Sequence, residues 1–164
     1  MSLEADVDSL FAHAMKGEWL KVSEIYEKSP EARKAKLTKS EDTALHIAVT
    51  VGQTETAVKL VEIALKDGQP EILKIADAKG DTALHIAAAL GDLSVCRSMA
   101  SKSSGLITAR NNKGETPLFL AARHGKKEAF LFLYSLGGRD DFHVRRNDGD
   151  TILHAAIIGE YFSE

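Results

Sequence analysis

Four copies of one short motif, almost evenly spaced, constrain this chain more than any other feature. Thr43-Ala44-Leu45-His46, Thr82-Ala83-Leu84-His85, Thr116-Pro117-Leu118-Phe119 and Thr151-Ile152-Leu153-His154 begin at intervals of 39, 34 and 35 residues. A period of this length marks a repeat array, in which each unit is one supersecondary element that buries its apolar face only against its neighbours. A fainter copy stands 35 residues before the first, where Asp8-Ser9-Leu10-Phe11 retains the leucine.

Each unit repeats an internal grammar. Nine residues after the motif Thr comes Gly52, Gly91 or Gly125, with Gly17 nine after Asp8 and Gly159 only eight after Thr151. Glycine takes the left-handed conformation that closes a helix without a Cβ clash, so these positions read as helix stops. Between Thr and Gly, apolar residues fall at i, i+3 and i+4, as in Leu84, Ala87 and Ala88, which is one face of a short helix. Small residues on that face suit helices that approach closely. A second apolar pattern follows each Gly, as in Val58, Val61, Ala64 and Leu65, and predicts a second helix. Polar links such as Asp77-Ala78-Lys79-Gly80-Asp81 and Asn111-Asn112-Lys113-Gly114-Glu115 then make tight turns into the next Thr. The surplus of the 39-residue step lies around Asp67-Gly68-Gln69-Pro70, which breaks the helical period and is expected to project as a longer loop.

Thr43, Thr82, Thr116 and Thr151 each stand where a helix begins, and a hydroxyl there can accept from an unpaired N–H of the first turn. The preceding acids, Asp42, Asp81, Glu115 and Asp150, place negative charge at the positive end of the helix dipole.

A unit reading turn, T-x-L-H, short helix, Gly and second helix resembles the ankyrin repeat. The resemblance implies an all-α solenoid of paired antiparallel helices joined by hairpin-like turns, with about four and a half repeats. It places units at about 5–38, 39–77, 78–111, 112–146 and a truncated 147–164, in a single domain over 1–164. It also implies that His46, His85 and His154 bond their own Thr and the turn of a neighbouring unit. Phe119 cannot do so, and that junction is expected to rely on packing. The stretches Asn111–Ala122, Arg146–His154 and Gly159–Phe162 look like plant ankyrin-repeat proteins of the accelerated-cell-death type. In that group the resemblance implies a following PGG domain with several membrane-spanning helices, at the plasma membrane or another membrane, in defence or stress signalling.

Composition removes other classes. With 21 Lys+Arg against 24 Asp+Glu and a net charge of -3, no cationic excess is available for a phosphate backbone, so nucleic acid is not an expected partner. No apolar run of about 18 residues and no secretory leader pattern appears, so this segment is expected to be cytoplasmic and to make no membrane contact of its own. The single cysteine, Cys96, cannot form an internal disulfide and reads as a small apolar packing residue. Zinc ligands come in pairs two to five residues apart, whereas these histidines recur once per unit, so no metal is expected. No nucleophile elbow, phosphate loop or dinucleotide fingerprint occurs, so neither a catalytic site nor a cofactor is expected.

A stacked array presents a concave surface built from turn tips and the outward sides of the first helices. Candidate protein-binding residues are therefore Glu41, Lys79, Lys113, Glu115, Arg145, Arg146 and Asp148 at the tips, with Arg123, Thr50 and Leu90 on the helices. Ending soon after Gly159, the sequence leaves apolar residues within 152–162 without a following unit, which reads as a fragment of a longer array or as a self-association surface. The expected function is a non-enzymatic protein-interaction scaffold, the cytosolic recognition region of a plant membrane-associated signalling protein. The alternative is a structural spacer that self-associates through its C-terminal end.

Overall fold

A computed structural model of the chain describes residues 2–103, 105–137, 147 and 151. Among these, eight α-helices alternate between two layers, with no strand element. The first helices of successive units are α1 (Leu3–Lys16), α3 (Ala44–Thr50), α5 (Ala83–Leu90) and α7 (Pro117–Arg123); the second helices are α2 (Trp19–Lys28), α4 (Thr54–Lys66), α6 (Leu93–Met99) and α8 (Lys127–Ser135). Each first helix packs on its own second helix and on the next first helix, while α2, α4, α6 and α8 stack in the same order.

The core follows from the apolar period. Leu45, Leu84 and Leu118, one per motif, are buried at the heart of their units, and Val61, Cys96 and Leu133 meet them from the second layer. In α5 the buried positions facing the neighbouring helices are Ala83, Ala87 and Ala88, so α3, α5 and α7 stack with little side-chain volume between them. Gly91 has φ 75° and its N–H bonds Ala88 O, which closes α5 in the left-handed conformation that the sequence pattern implies.

The surplus of the 39-residue step does not project: α4 has 13 residues against 10 in α2, and Asp67-Gly68-Gln69 stands where the first unit has Ser29 alone. Gly68 turns the chain and Pro70–Lys74 winds into a 3-10 turn that buries Ile72 and Leu73 against the core. The reason is apolar content: Ile72 and Leu73 gain more by folding inward than an extended loop would, and Pro70 presets the first residue of the turn. The first unit carries the same device at Pro30–Lys34, where Ala32 and Arg33 are buried.

The turn tips form a second, polar fastening. Ala78 N–H donates to Ser40 O at 2.9 Å, Asn112 N–H to Lys79 O at 3.0 Å and Asn147 N–H to Lys113 O at 2.7 Å, so each tip hangs on the one before it. The tip position two before the motif Thr takes positive φ in the second, third and fourth units, with Glu41 at 62°, Gly80 at 80° and Gly114 at 78°. Glu41 is the one non-glycine among the described residues in that region. An L-residue pays about 1–2 kcal/mol there, and glycine returns part of that through its freer unfolded chain. Glu41→Gly is therefore expected to stabilise the array by about 0.5–1 kcal/mol, read as a higher urea midpoint; a lower midpoint would contradict the strain.

Candidate functional site

The motif residues knit one unit to the next. Thr43 Oγ1 accepts from His46 N–H at 3.4 Å, while His46 Nδ1 accepts from Thr43 N–H at 3.2 Å, closing a reciprocal cap on α3. Because a backbone N–H can only donate, Nδ1 carries no proton, and Nε2–H is left to donate to Asp81 O of the next unit at 3.0 Å. His85 repeats the arrangement, with Thr82 N–H donating to Nδ1 at 3.1 Å and Nε2–H donating to Glu115 O at 2.9 Å. Phe119 occupies the same slot in the fourth unit as a buried ring, with its N–H on Thr116 Oγ1 at 3.2 Å. His154 lies outside the described residues.

Desolvation pushes the pKa of His46 and His85 below the usual 6.5, against the opposing pull of the carbonyls of Asp81 and Glu115. Since both histidines hold fewer protons folded than unfolded, stability is full above pH 6.5 and is lost as pH falls from there through the lowered folded values. Urea unfolding at pH 7.5, 6.5 and 5.5 is expected to show a falling free energy, and a flat profile over that range would contradict the neutral-histidine fastening.

Above these fasteners, an open depression of about 600 Å³ runs between the tips of the third and fourth units and helices α5 and α7. Its floor is Ile86, Ala89, Leu90 and Leu120; Lys79, Asn112 and Lys113 stand on the tip side, and Thr50, Arg123 and His124 on the helix side. Leu90 is 50% exposed and follows the half-buried Ile86 and Ala89 along the groove side of α5. Desolvation, helped by Arg123 and Lys126, holds the His124 pKa below its ordinary value. Within this groove the structure brings together Lys79, Lys113, Arg123, Thr50 and Leu90 from the sequence-derived set.

Of the other members of that set, Glu115 also lines the groove, from a buried position. Glu41 is exposed on the preceding tip, away from the residues that line the groove. Glu115 is corrected: it is not an exposed tip acid but is 2% exposed, with Oε2 at 2.8 Å from Arg123 and Oε1 accepting from Asn111 Nδ2 at 3.2 Å. Its extra methylene over Asp42 and Asp81 lets the carboxylate fold back onto α7, where Arg123 covers it. Arg145, Arg146 and Asp148 lie outside the described residues, as does the self-association segment 152–162.

Two groups of contributors escape the motif. Asn112 donates from Nδ2 to Ala78 O at 2.9 Å, and Asn147 does the same to Asn112 O at 2.8 Å; their shared place, four before the motif Thr, is the sequence signal. Arg33 is wholly buried, donating from Nε to Tyr26 O at 2.6 Å and from its terminal nitrogens to Gln69 Oε1 and Asp67 Oδ2, both at 2.7 Å, with Tyr26 under its guanidinium. Its register, ten before the motif Thr, is that of the apolar Ile72 and Leu106.

Among the described residues no three His, Cys, Asp or Glu side chains are grouped as a metal site would need, and no helix is long and apolar enough to cross a membrane. Cys96 is buried, and burial pushes its thiol up to about 12.

The sequence is similar to known repeat proteins over most of its length. A family model described as ankyrin repeats in three copies matches residues 10–111 and 60–145. The ANK repeat-containing protein nipk-1 of Caenorhabditis elegans is 36% identical over 93 residues, which is 52% of this chain and 15% of that protein. Diacylglycerol kinase zeta of Rattus norvegicus is 36% identical over 75 residues, 46% of this chain and 8% of the rat protein. The chain thus spans 15% and 8% of these relatives, and the rat match covers repeats and gives no evidence of a kinase here. With the repeat period, the two-layer helix stack and the family model in agreement, the chain belongs to the ankyrin-repeat family.

Proposed function

We propose that this chain is a non-enzymatic recognition scaffold that seats a protein partner in the groove above α5 and α7. Ankyrin repeats generally bind protein partners and are typically non-enzymatic. The observation that carries the reading is an open depression whose lining joins the half-exposed Leu90 and the apolar Ile86 and Leu120 to Lys79, Lys113 and Arg123. Apolar and cationic side chains on one concave surface are what a protein-recognition patch is built from. A photo-crosslinking residue placed at Leu90 is expected to give a discrete adduct that excess unlabelled chain competes away, while one at Lys59 on α4 gives none. Equal labelling of both faces would sink the groove. Light scattering over a concentration series is expected to give a constant monomer mass; mass that rises with concentration, and falls back with Ile157→Asp, would replace this reading with self-association through residues 152–162.

The same reading extends to the parent protein: a plant defence or stress signalling protein whose PGG domain lies in a membrane, with this segment on the cytoplasmic side. What supports it is the likeness of Asn111–Ala122 and Arg146–His154 to that group. Plant membranes washed with alkaline carbonate and probed with antibody against this chain are expected to retain it until detergent is added. Release by carbonate alone would remove the membrane-spanning parent.

A further inference from the structure

The groove has two unlike walls. On the tip side Lys79 and Lys113 are exposed, and neither makes an ion pair with another described residue. On the helix side Ile86, Ala89 and the half-exposed Leu90 follow α5 to its last residue, and α7 adds Leu120. α5 has eight residues, so at 1.5 Å each its far end stands about 12 Å along the axis from its start beside the tips. The two acids that line the groove are engaged within it: Glu115 Oε2 lies 2.8 Å from Arg123, and Asp81 Oδ1 accepts from Asn111 Nδ2 at 2.8 Å. The tip wall is therefore cationic towards solvent although the chain as a whole carries a net charge of -3. The helix wall is different, because Glu115 matches Arg123, while desolvation with Arg123 and Lys126 disfavours a charge on His124. What that wall offers is mainly apolar contact.

We infer that the groove takes a protein segment with two unlike edges, acidic residues turned to Lys79 and Lys113 and apolar residues turned to Ile86 and Leu90. Successive side chains of an extended segment point to opposite sides, so a single stretch lying along the groove meets both walls. The difference between the walls fixes which way round it lies: turned over, the segment would set its carboxylates against the leucine and leave both lysines without a partner. This inference rests on the groove being the recognition surface.

The test is selection of displayed random dodecapeptides on the purified chain, followed by titration of the enriched peptides against three proteins: the unaltered chain, Lys79→Glu with Lys113→Glu, and Leu90→Asp. Circular dichroism of each variant checks that these exposed substitutions leave the helices intact. The expected result is enrichment of peptides that combine Asp or Glu with large apolar residues, with affinity falling about tenfold or more in both variants and weakening as salt rises. The same peptides with lysine in place of each acid are expected to lose the unaltered chain and to regain affinity for the charge-reversed one; loss on both would overturn the pairing with the tips. Peptides lost on Leu90→Asp but indifferent to the charge reversal would overturn the acidic edge and leave the groove standing, and the converse pattern would overturn the apolar edge. Peptides indifferent to both variants would remove the groove as well. A selection that enriches nothing would overturn the inference, and the groove would then stand or fall on the crosslinking at Leu90.

Discussion

Replacing Arg33 by alanine is expected to destabilise the array by about 3–5 kcal/mol, the combined scale of orphaned buried carbonyls and a large-to-small cavity. Its side chain is wholly buried and holds Tyr26 O and Glu27 O in the first unit together with Asp67 and Gln69 in the second. Removing it orphans the two carbonyls, opens a cavity beside Tyr26 and uncouples the two units. Asp67 is 40% exposed and returns to water, so the loss falls mainly on the first unit. Arg33→Met fills the same space without the charge, as Ile72 and Leu106 do in the later units, and is expected to cost only about 1–2 kcal/mol through the unmet carbonyls. Urea denaturation followed by the single tryptophan, Trp19 in the first unit, reads the difference; equal losses for both variants would show that packing, not the guanidinium bonds, holds this junction.

The second large effect is at a tip. Gly80→Ala is expected to cost about 2–4 kcal/mol, the sum of left-handed strain and overpacking. A Cβ on Gly80 would stand 2.5 Å from Asn112 Oδ1 and 2.7 Å from its backbone nitrogen, so the clash is with the main chain of the next tip as well as with a movable side chain. Relief requires parting Asn112 N–H from Lys79 O. Thermal melting checks the magnitude, and hydrogen exchange at Asn112 checks the mechanism, since an amide that stays protected would mean that the tip accommodates the methyl group.

Much of this architecture is legible in the sequence because it depends on repetition. Leu45, Leu84 and Leu118 recur in register, so their common burial follows from period alone. The histidine ties follow from family likeness rather than from spacing, which marks a helix start but not the carbonyl that His46 Nε2 reaches 35 residues later. Departures came where one residue differs from its counterparts in length or charge. Glu115 reads as a solvated acid until α7 is seen to bring Arg123 beside it. Nothing in the local pattern singles out Arg33, since it cannot show that Asp67 and Gln69 arrive from the next unit to satisfy it. The residues after α4 read as a loop because Gly68 and Pro70 break the helical period, while the inward pull of Ile72 and Leu73 carries no periodic signature. For the groove, sequence supplied Lys79, Lys113, Arg123, Thr50 and Leu90 as separate candidates; their convergence on one depression needed the stacking of α5 and α7.

The fasteners between units differ in what they demand of a neighbour. His46 and His85 donate to the main-chain oxygens of Asp81 and Glu115, and Asn112 and Asn147 to those of Ala78 and Asn112. A carbonyl belongs to every residue, so a duplicated unit spliced into the middle of the array would find its partners ready-made, with no compensating change on either side. Arg33 asks instead for a carboxylate and an amide side chain at two particular places. By this chemistry the interior of the gene is free to lengthen or shorten by whole units, while the first two units must be inherited together.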